Sequence, residues 1–302
     1  MKRVHFCTMG AIRRASIGLV ALFISTPGAN AQEEFPTIKD KVSLVQNFQP
    51  VFRSYPGVSA DSLGIRTGMT VSKAEAIAEK NYGTKSKPSV SHLSDTLIYD
   101  PGNFSIESRP FISYVSFSHW MGIMLDSLTL HFSSPVTGNT LLGMSRQISY
   151  YQSASIKTPS VSTIKTRLIK KYGPTSYQSK ARDGGLIIGW IFGQKELFIC
   201  KTHDCMGGHF TGVPNFFSSG SIPGKPNLLT QCGATASGPN IFRIDAKIDA
   251  NKSAKAEIRD VTISIWDVST CVNDATEAKK QLTAAAIKYD KATYKPAAGP
   301  EL

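Results

Sequence analysis

Two stretches of the chain, Gly64 to Gly83 and Thr158 to Ser176, do most to limit what it can fold into. Each carries an apolar stripe at helical spacing, ends in Tyr-Gly, and leads into residues that alternate as strands do. In the first, Ala74, Ile77, Ala78 and Tyr82 share one helix face. Ser72 and Glu75 have the spacing of a capping box, Val71 and Ala76 stand at the staple positions, and Gly83 is placed to take a left-handed stop. In the second, Val161, Ile164, Leu168 and Tyr172 lie together, Thr158 is placed as N-cap with Pro159 at the first helical position, and Gly173-Pro174 ends the helix. Lys170 and Lys171 complement its C-terminal dipole. A repeated helix-then-sheet plan follows.

Between and after the helices the period changes to two. Val115 and Phe117 alternate with Ser116 and Ser118; Leu128, Leu130 and Phe132 alternate with Ser127, Thr129 and His131. With Leu141 to Tyr151 they predict an antiparallel meander with one buried face. Its other face carries hydroxyls and the aromatic residues Tyr114 and Trp120, with Tyr150 or Tyr151 near them. Rigid amphipathic rings on such a face suit protein contact. Leu186 to Phe192 and Lys195 to Cys200 predict a hairpin about Gly193-Gln194. Only a short strand near Val42 to Val51 is expected in the Pro-containing lead-in, Gln32 to Leu63.

The expected class is therefore α+β: tandem helix plus antiparallel-sheet units over residues 32–210 and a loop or linker over 211–231. A disulfide-stapled β-β-α element over 232–290 and a disordered tail over 291–302 follow. In the β-β-α element, Ile241 to Ile248 and Ile258 to Val268 are the strands. Asp274 is expected to cap a helix over Ala275 to Tyr289, with Ala278, Leu282 and Ala285 inward.

The N-terminus orders Lys2, Arg3, Arg13 and Arg14, an apolar run Ile17 to Ile24, and Ala29-Asn30-Ala31. That is the pattern of a signal peptide over residues 1–31, and it predicts a periplasmic or secreted chain. No apolar run reaches the roughly 20 residues of a membrane span, and no cysteine marks a lipid-anchored start. The net charge of +12 falls to +8 without the four basic residues of that segment. The remaining basic residues are dispersed, which argues against a nucleic-acid partner. In an oxidising compartment the four later cysteines, Cys200, Cys205, Cys232 and Cys271, predict two disulfides. Four cysteines allow three connectivities, of which Cys200 with Cys205 and Cys232 with Cys271 is the most economical.

Gly64-Ile-Arg-Thr-Gly-Met-Thr70, leading into a helix with Glu75 and Ile77, resembles the signature of the BamE-like (SmpA/OmlA) and β-lactamase-inhibitor-protein-like repeat. The resemblance is specific over those seven residues and extends at most over residues 60–200. It implies a helix packed on an antiparallel sheet and a non-catalytic role: scaffolding envelope assembly, or inhibiting a secreted enzyme through the sheet face. No contact residue carries over from the family, and the second stretch lacks Gly-Met-Thr.

Candidate chemistry is sparse. His203, Asp204 and His209 beside Cys200 and Cys205 form one cluster that could hold a metal, although C-x4-C in an oxidising compartment favours a disulfide. Ser113, His119 and Asp126 can be written as a triad, but without a nucleophile elbow nothing selects them. No catalytic residue and no cofactor are assigned. The reading is an exported module that binds an envelope protein. The alternative is a small secreted hydrolase or a metal-dependent enzyme using the His203/His209 loop.

Overall fold

The computed structural model describes residues 41–49, 60–83, 88–99, 104–151, 158–181, 184–193, 197–198, 242–250 and 257–293. The chain divides after Glu34, and all of the described residues belong to the part from Phe35 onward. The fold is α+β. The elements are α1 (Val71–Tyr82), β1 (Ser89–Asp95), β2 (Ile98–Tyr99), β3 (Ile106–Glu107), β4 (Phe111–Met121), β5 (Met124–Phe132) and β6 (Leu141–Tyr150). They are followed by α2 (Val161–Tyr172), β7 (Tyr177–Lys180), β8 (Leu186–Phe192), β9 (Leu197–Phe198), β10 (Phe242–Ala250), β11 (Ile258–Trp266) and α3 (Val268–Thr293).

One antiparallel sheet runs in the order β1-β4-β5-β6-β11-β10-β8-β7, with β9 beside β8. The order reads as two four-strand meanders, each preceded by its helix and joined through their last strands, β6 and β11. Both halves anchor their helix in one way. Thr70, ahead of α1, bridges Thr140, ahead of β6; Ser160, ahead of α2, bridges Glu257, ahead of β11. The Leu141 amide donates to the Met69 carbonyl at 2.7 Å and the Ile258 amide to that of Pro159 at 3.1 Å. The last register shift also falls at corresponding places, between His131 and Phe132 and between Asp249 and Ala250.

Thus β10 and β11 do not form a separate element with a helix. They fill the sheet between β6 and β8, whose backbone groups would otherwise lack a partner on that side.

α1 and α2 cover one face. Ala74, Ala78 and Tyr82 of α1, and Leu168 and Tyr172 of α2, pack with Val115, Phe117, Leu128, Leu130, Trp190 and Ile244 in one core. The two Tyr-Gly stops serve this core directly: the Tyr82 ring stacks on Phe117 at 6.2 Å, and Tyr172 meets Trp190 edge-on at 5.3 Å.

The helix ends depart from the expected caps, because strand contacts fix where each helix can begin. The bridge from Thr70 starts α1 at Val71, so Ser72 lies inside the helix and forms no capping box. Glu75 instead meets His92 of β1 at 2.6 Å. Gly83 remains right-handed at φ −74°, whereas Gly173 takes the positive value of 82°. In α2 the Pro159 carbonyl is held by β11, and the N-cap is Ser160, whose hydroxyl accepts from the Thr163 amide at 3.1 Å. α3 begins at Val268 rather than beyond Asp274. Asp267 receives the Thr270 amide at 2.9 Å and its hydroxyl at 2.8 Å. α3 also runs to Thr293, three residues into the segment expected as a disordered tail. Ala278 and Leu282 face inward as expected, with Ala286 more deeply buried than Ala285.

Asp274 does something else. Buried on α3, it accepts from the Ser134 amide at 3.0 Å, the Ser134 hydroxyl at 2.8 Å and the Thr137 hydroxyl at 2.9 Å. It ties the short helical turn Pro135–Thr137, between β5 and β6, to the C-terminal helix. The lead-in is tied to the same helix: Val45 and Gln281 exchange two hydrogen bonds of 2.8 Å. Near the expected strand at Val42 to Val51, the described residues show a single bridge, Val42 to Ser108.

Replacing Asp274 by Ala leaves three buried donors without their acceptor. Equilibrium denaturation should show a loss of about 2–4 kcal/mol; an unchanged midpoint would mean that these donors find another partner.

Candidate binding face and the polar cluster behind it

Directly opposed residues share a face, so the register defines what the side away from α1 and α2 presents. One row crosses the sheet as Ser91, Ser116, Thr129, Ser145, Ser264, Asp245, Gly189 and Tyr177. The next is Ser89, Ser118, Ser127, Gln147, Thr262, Lys247, Ile187 and Ser179. The half built from β1, β4, β5 and β6 therefore shows four hydroxyls in the first row and three hydroxyls and the Gln147 amide in the second, with no formal charge in either. Some hydroxyls bond sideways, Ser91 to Ser116 at 2.9 Å and Ser145 to Ser264 at 3.2 Å. The half built from β8, β10 and β11 carries charge, but pairs it. Arg243 meets Asp245 through Nε at 2.5 Å and Nη2 at 2.9 Å, and the Tyr177 hydroxyl donates to Asp245 at 2.6 Å. Lys247 lies 2.9 Å from Asp249. Burial, and then the Asp245 charge, raise the Tyr177 phenol above its ordinary range.

Aromatic residues flank the rows at both ends. At one end Tyr114, His131 and Trp266 form a chain, with centroids 5.4 Å and 5.1 Å apart. Trp266 lies over Gly143, where a Cβ would come within 1.9 Å of the indole. At the other end Trp120 and Tyr151 lie 4.9 Å apart and are 56% and 50% exposed. They form the most exposed aromatic pair among the described residues.

The expected contact residues are thus partly brought together. Tyr114 and Trp120 share this face, separated along β4. Tyr150 points to the other face and packs at the helix-side core; its neighbour Tyr151 is the residue that joins Trp120. His119 stands opposite Asp126, but Ser113 is six residues up β4 and donates to Asp95 at 2.6 Å, so no triad forms. His203, Asp204, His209, Cys200, Cys205, Cys232 and the linker 211–231 lie outside the described residues. Among the described residues no group of three or more His, Cys, Asp or Glu is placed to hold a metal ion, and no helix is long and apolar enough to cross a membrane.

Behind the Trp120 end, on the helix side, sits a polar cluster that sequence spacing did not reveal. Arg146 grips Asp126 through Nε at 2.9 Å and Nη2 at 2.6 Å, and the Tyr82 hydroxyl donates to Asp126 at 3.1 Å. Burial opposes the Arg146 charge, but Asp126 outweighs it and holds the guanidinium above its ordinary value. Tyr82 and Arg146 lie 44 and 20 positions from Asp126 in sequence. The Arg243–Asp245 pair, by contrast, was readable from its i, i+2 spacing on a strand. No protein-family model, curated protein or solved structure matches the chain.

His131 gives the face a pH dependence. Burial pushes its pKa down to about 3, so the unfolded chain takes up a proton that the folded one refuses as pH falls below about 6.5. Its contribution is complete above that value and is lost on acidification. Asp274 works the other way, because burial raises its pKa to about 6. The effect is therefore read as the stability difference between wild type and His131→Phe. That difference should move against wild type by roughly 3 kcal/mol between pH 7 and pH 4; a constant difference would show that His131 protonates in the folded state.

Proposed function

We propose that the protein is a non-catalytic, exported module that binds another protein of the cell envelope through the open face of its sheet. The exposed Trp120–Tyr151 pair carries this reading. Two large rings are held out in water beside two rows rich in hydroxyls, while Phe117, Phe132, Trp190, Phe192 and Phe242 of the same sheet are buried in the core. Aromatic anchors beside neutral hydrogen-bonding groups fit a protein partner, because they desolvate cheaply and lose little rotamer freedom. The Gly64–Thr70 signature, with its likeness to BamE-like and β-lactamase-inhibitor-protein-like repeats, points to the same use of a sheet face. Export rests on the basic-apolar-small order of residues 1–31.

Two disulfides among Cys200, Cys205, Cys232 and Cys271 complete the reading, with Cys200 to Cys205 and Cys232 to Cys271 the most economical of the three connectivities. Cys271, the one of the four among the described residues, is buried. It packs with Leu142, Trp266 and Ala275 where β11 passes into α3. A thiol reagent added to the denatured, unreduced exported protein should label none of the four cysteines, and stoichiometric labelling would remove the disulfide framework.

The binding surface is tested by crosslinking in the envelope of the source cells. Trp120→Ala/Tyr151→Ala should reduce the yield of any specific adduct at least tenfold while the thermal midpoint stays within a few degrees. Lys170→Ala, on the exposed side of α2, should leave the yield unchanged. Equal adduct from wild type and the double variant would reject this face.

A further inference from the structure

The two halves of the sheet supply an internal comparison. β6 and β11 start at Leu141 and Ile258, an offset of 117 residues that makes Ile263 the counterpart of Arg146. The ladders carry the correspondence outward. Leu128 opposes Arg146 and Ala246 opposes Ile263, so those two correspond, and Asp126 then matches Ile244. By the same steps His119 matches Trp190. Tyr82 and Tyr172 match as the last residues of their helices. The cluster of Tyr82, His119, Asp126 and Arg146 thus occupies the place that the second half fills with Tyr172, Trp190, Ile244 and Ile263, where two aliphatic side chains stand for the ion pair and the polar atoms of Tyr172 and Trp190 bond to backbone carbonyls. A buried ion pair does not generally stabilise more than well-packed apolar residues in its place, and the second half shows that this place in the fold accepts them.

The seam shows where the difference matters. Across β6 and β11 Arg146 is paired directly with Ile263, its own counterpart, so the local two-fold axis of the fold passes between these two residues. If the first halves of two copies paired through β6 about the same axis, Arg146 would face Arg146. Like charges directly opposed across strands are destabilising, all the more where the side chain is mostly buried, as Arg146 is at 22% exposure. Two second halves would meet as Ile263 against Ile263, which carries no such penalty.

We propose that the Asp126–Arg146 pair makes the halves non-interchangeable, directing β6 to β11 of its own chain and away from β6 of a second copy of this chain. It is a device of assembly, independent of what the open face binds.

The test gives the first half the second half's chemistry, as Tyr82→Phe/Asp126→Ile/Arg146→Ile in the full chain, refolded from denaturant over a range of concentrations. Removing the Tyr82 hydroxyl avoids leaving it without its acceptor. The variant should fold, with its thermal midpoint at or above that of wild type. The fraction of dimer should rise at least tenfold, and spin labels at Gln147, beside the axis, should report an intermolecular separation under roughly 20 Å. A monomer at every concentration overturns the proposal, as does a dimer without the short distance. Should the Ile variant not fold, Tyr82→Phe/Asp126→Leu/Arg146→Met, closer in volume, is read the same way. Failure of both to fold overturns it too, because the pair is then a requirement of the core. Arg146→Ile alone, which leaves Asp126 buried and unpaired, should lower the midpoint on the order of 10 °C.

Discussion

The ladder between β6 and β11 is the interaction on which the rest of the structure depends. Each half is a helix on a four-strand meander, and a meander ending at β6 or β11 would leave a row of backbone donors and acceptors exposed at an edge. Joining the two final strands satisfies both rows and makes one sheet with its outer edges at β1 and at β7 with β9. It also makes one core, since Met144 of β6 and Ile265 of β11 lie opposite each other beneath the helices. The C-terminal helix holds the arrangement from one end. Its Asp274 grips the turn between β5 and β6, and Gln281 holds the lead-in.

That geometry divides the labour of the two faces. The helix side is packed with apolar residues and closed by the two tyrosines that end α1 and α2. The other side has no helix of the repeats over it, and in the first half its middle rows are serine, threonine and glutamine, some of which bond sideways, with Ser145 buried at the seam. The charged residues of the second half neutralise one another in pairs. This face therefore presents little net charge on a chain with a formal charge of +12, so the partner proposed for it would be held by short-range fit rather than long-range attraction.

Much of this plan was legible in the residues. The 3.6-residue stripes located both repeat helices, and Val115, Phe117, Leu128 and Leu130 named the buried side of β4 and β5. What stayed hidden did so for identifiable reasons. β1 and β7 are edge strands; Ser89 to Asp95 holds hydroxyls and a histidine rather than an apolar alternation, and only its pairing with β4 makes it a strand. The helix starts were misplaced because capping residues abound near both, and only contacts from β6 and β11 choose among them. Asp274 had the composition of a cap but is recruited by Ser134 and Thr137, about 140 residues away in sequence. The placement of β10 and β11 inside the sheet depends on a long-range pairing that no local pattern encodes. For the face itself, Tyr114 and Trp120 followed from strand alternation, whereas the choice of Tyr151 over Tyr150 turned on where β6 ends.

The most direct measure of this account is native-state hydrogen exchange along the seam. If β6 and β11 bind the halves into one cooperative structure, their amides exchange only through global unfolding, with the same free energy as the core of β5 and β10. An opening of α2 and β7 to β11 as a group, at a clearly lower free energy than α1 and β1 to β6, would contradict it.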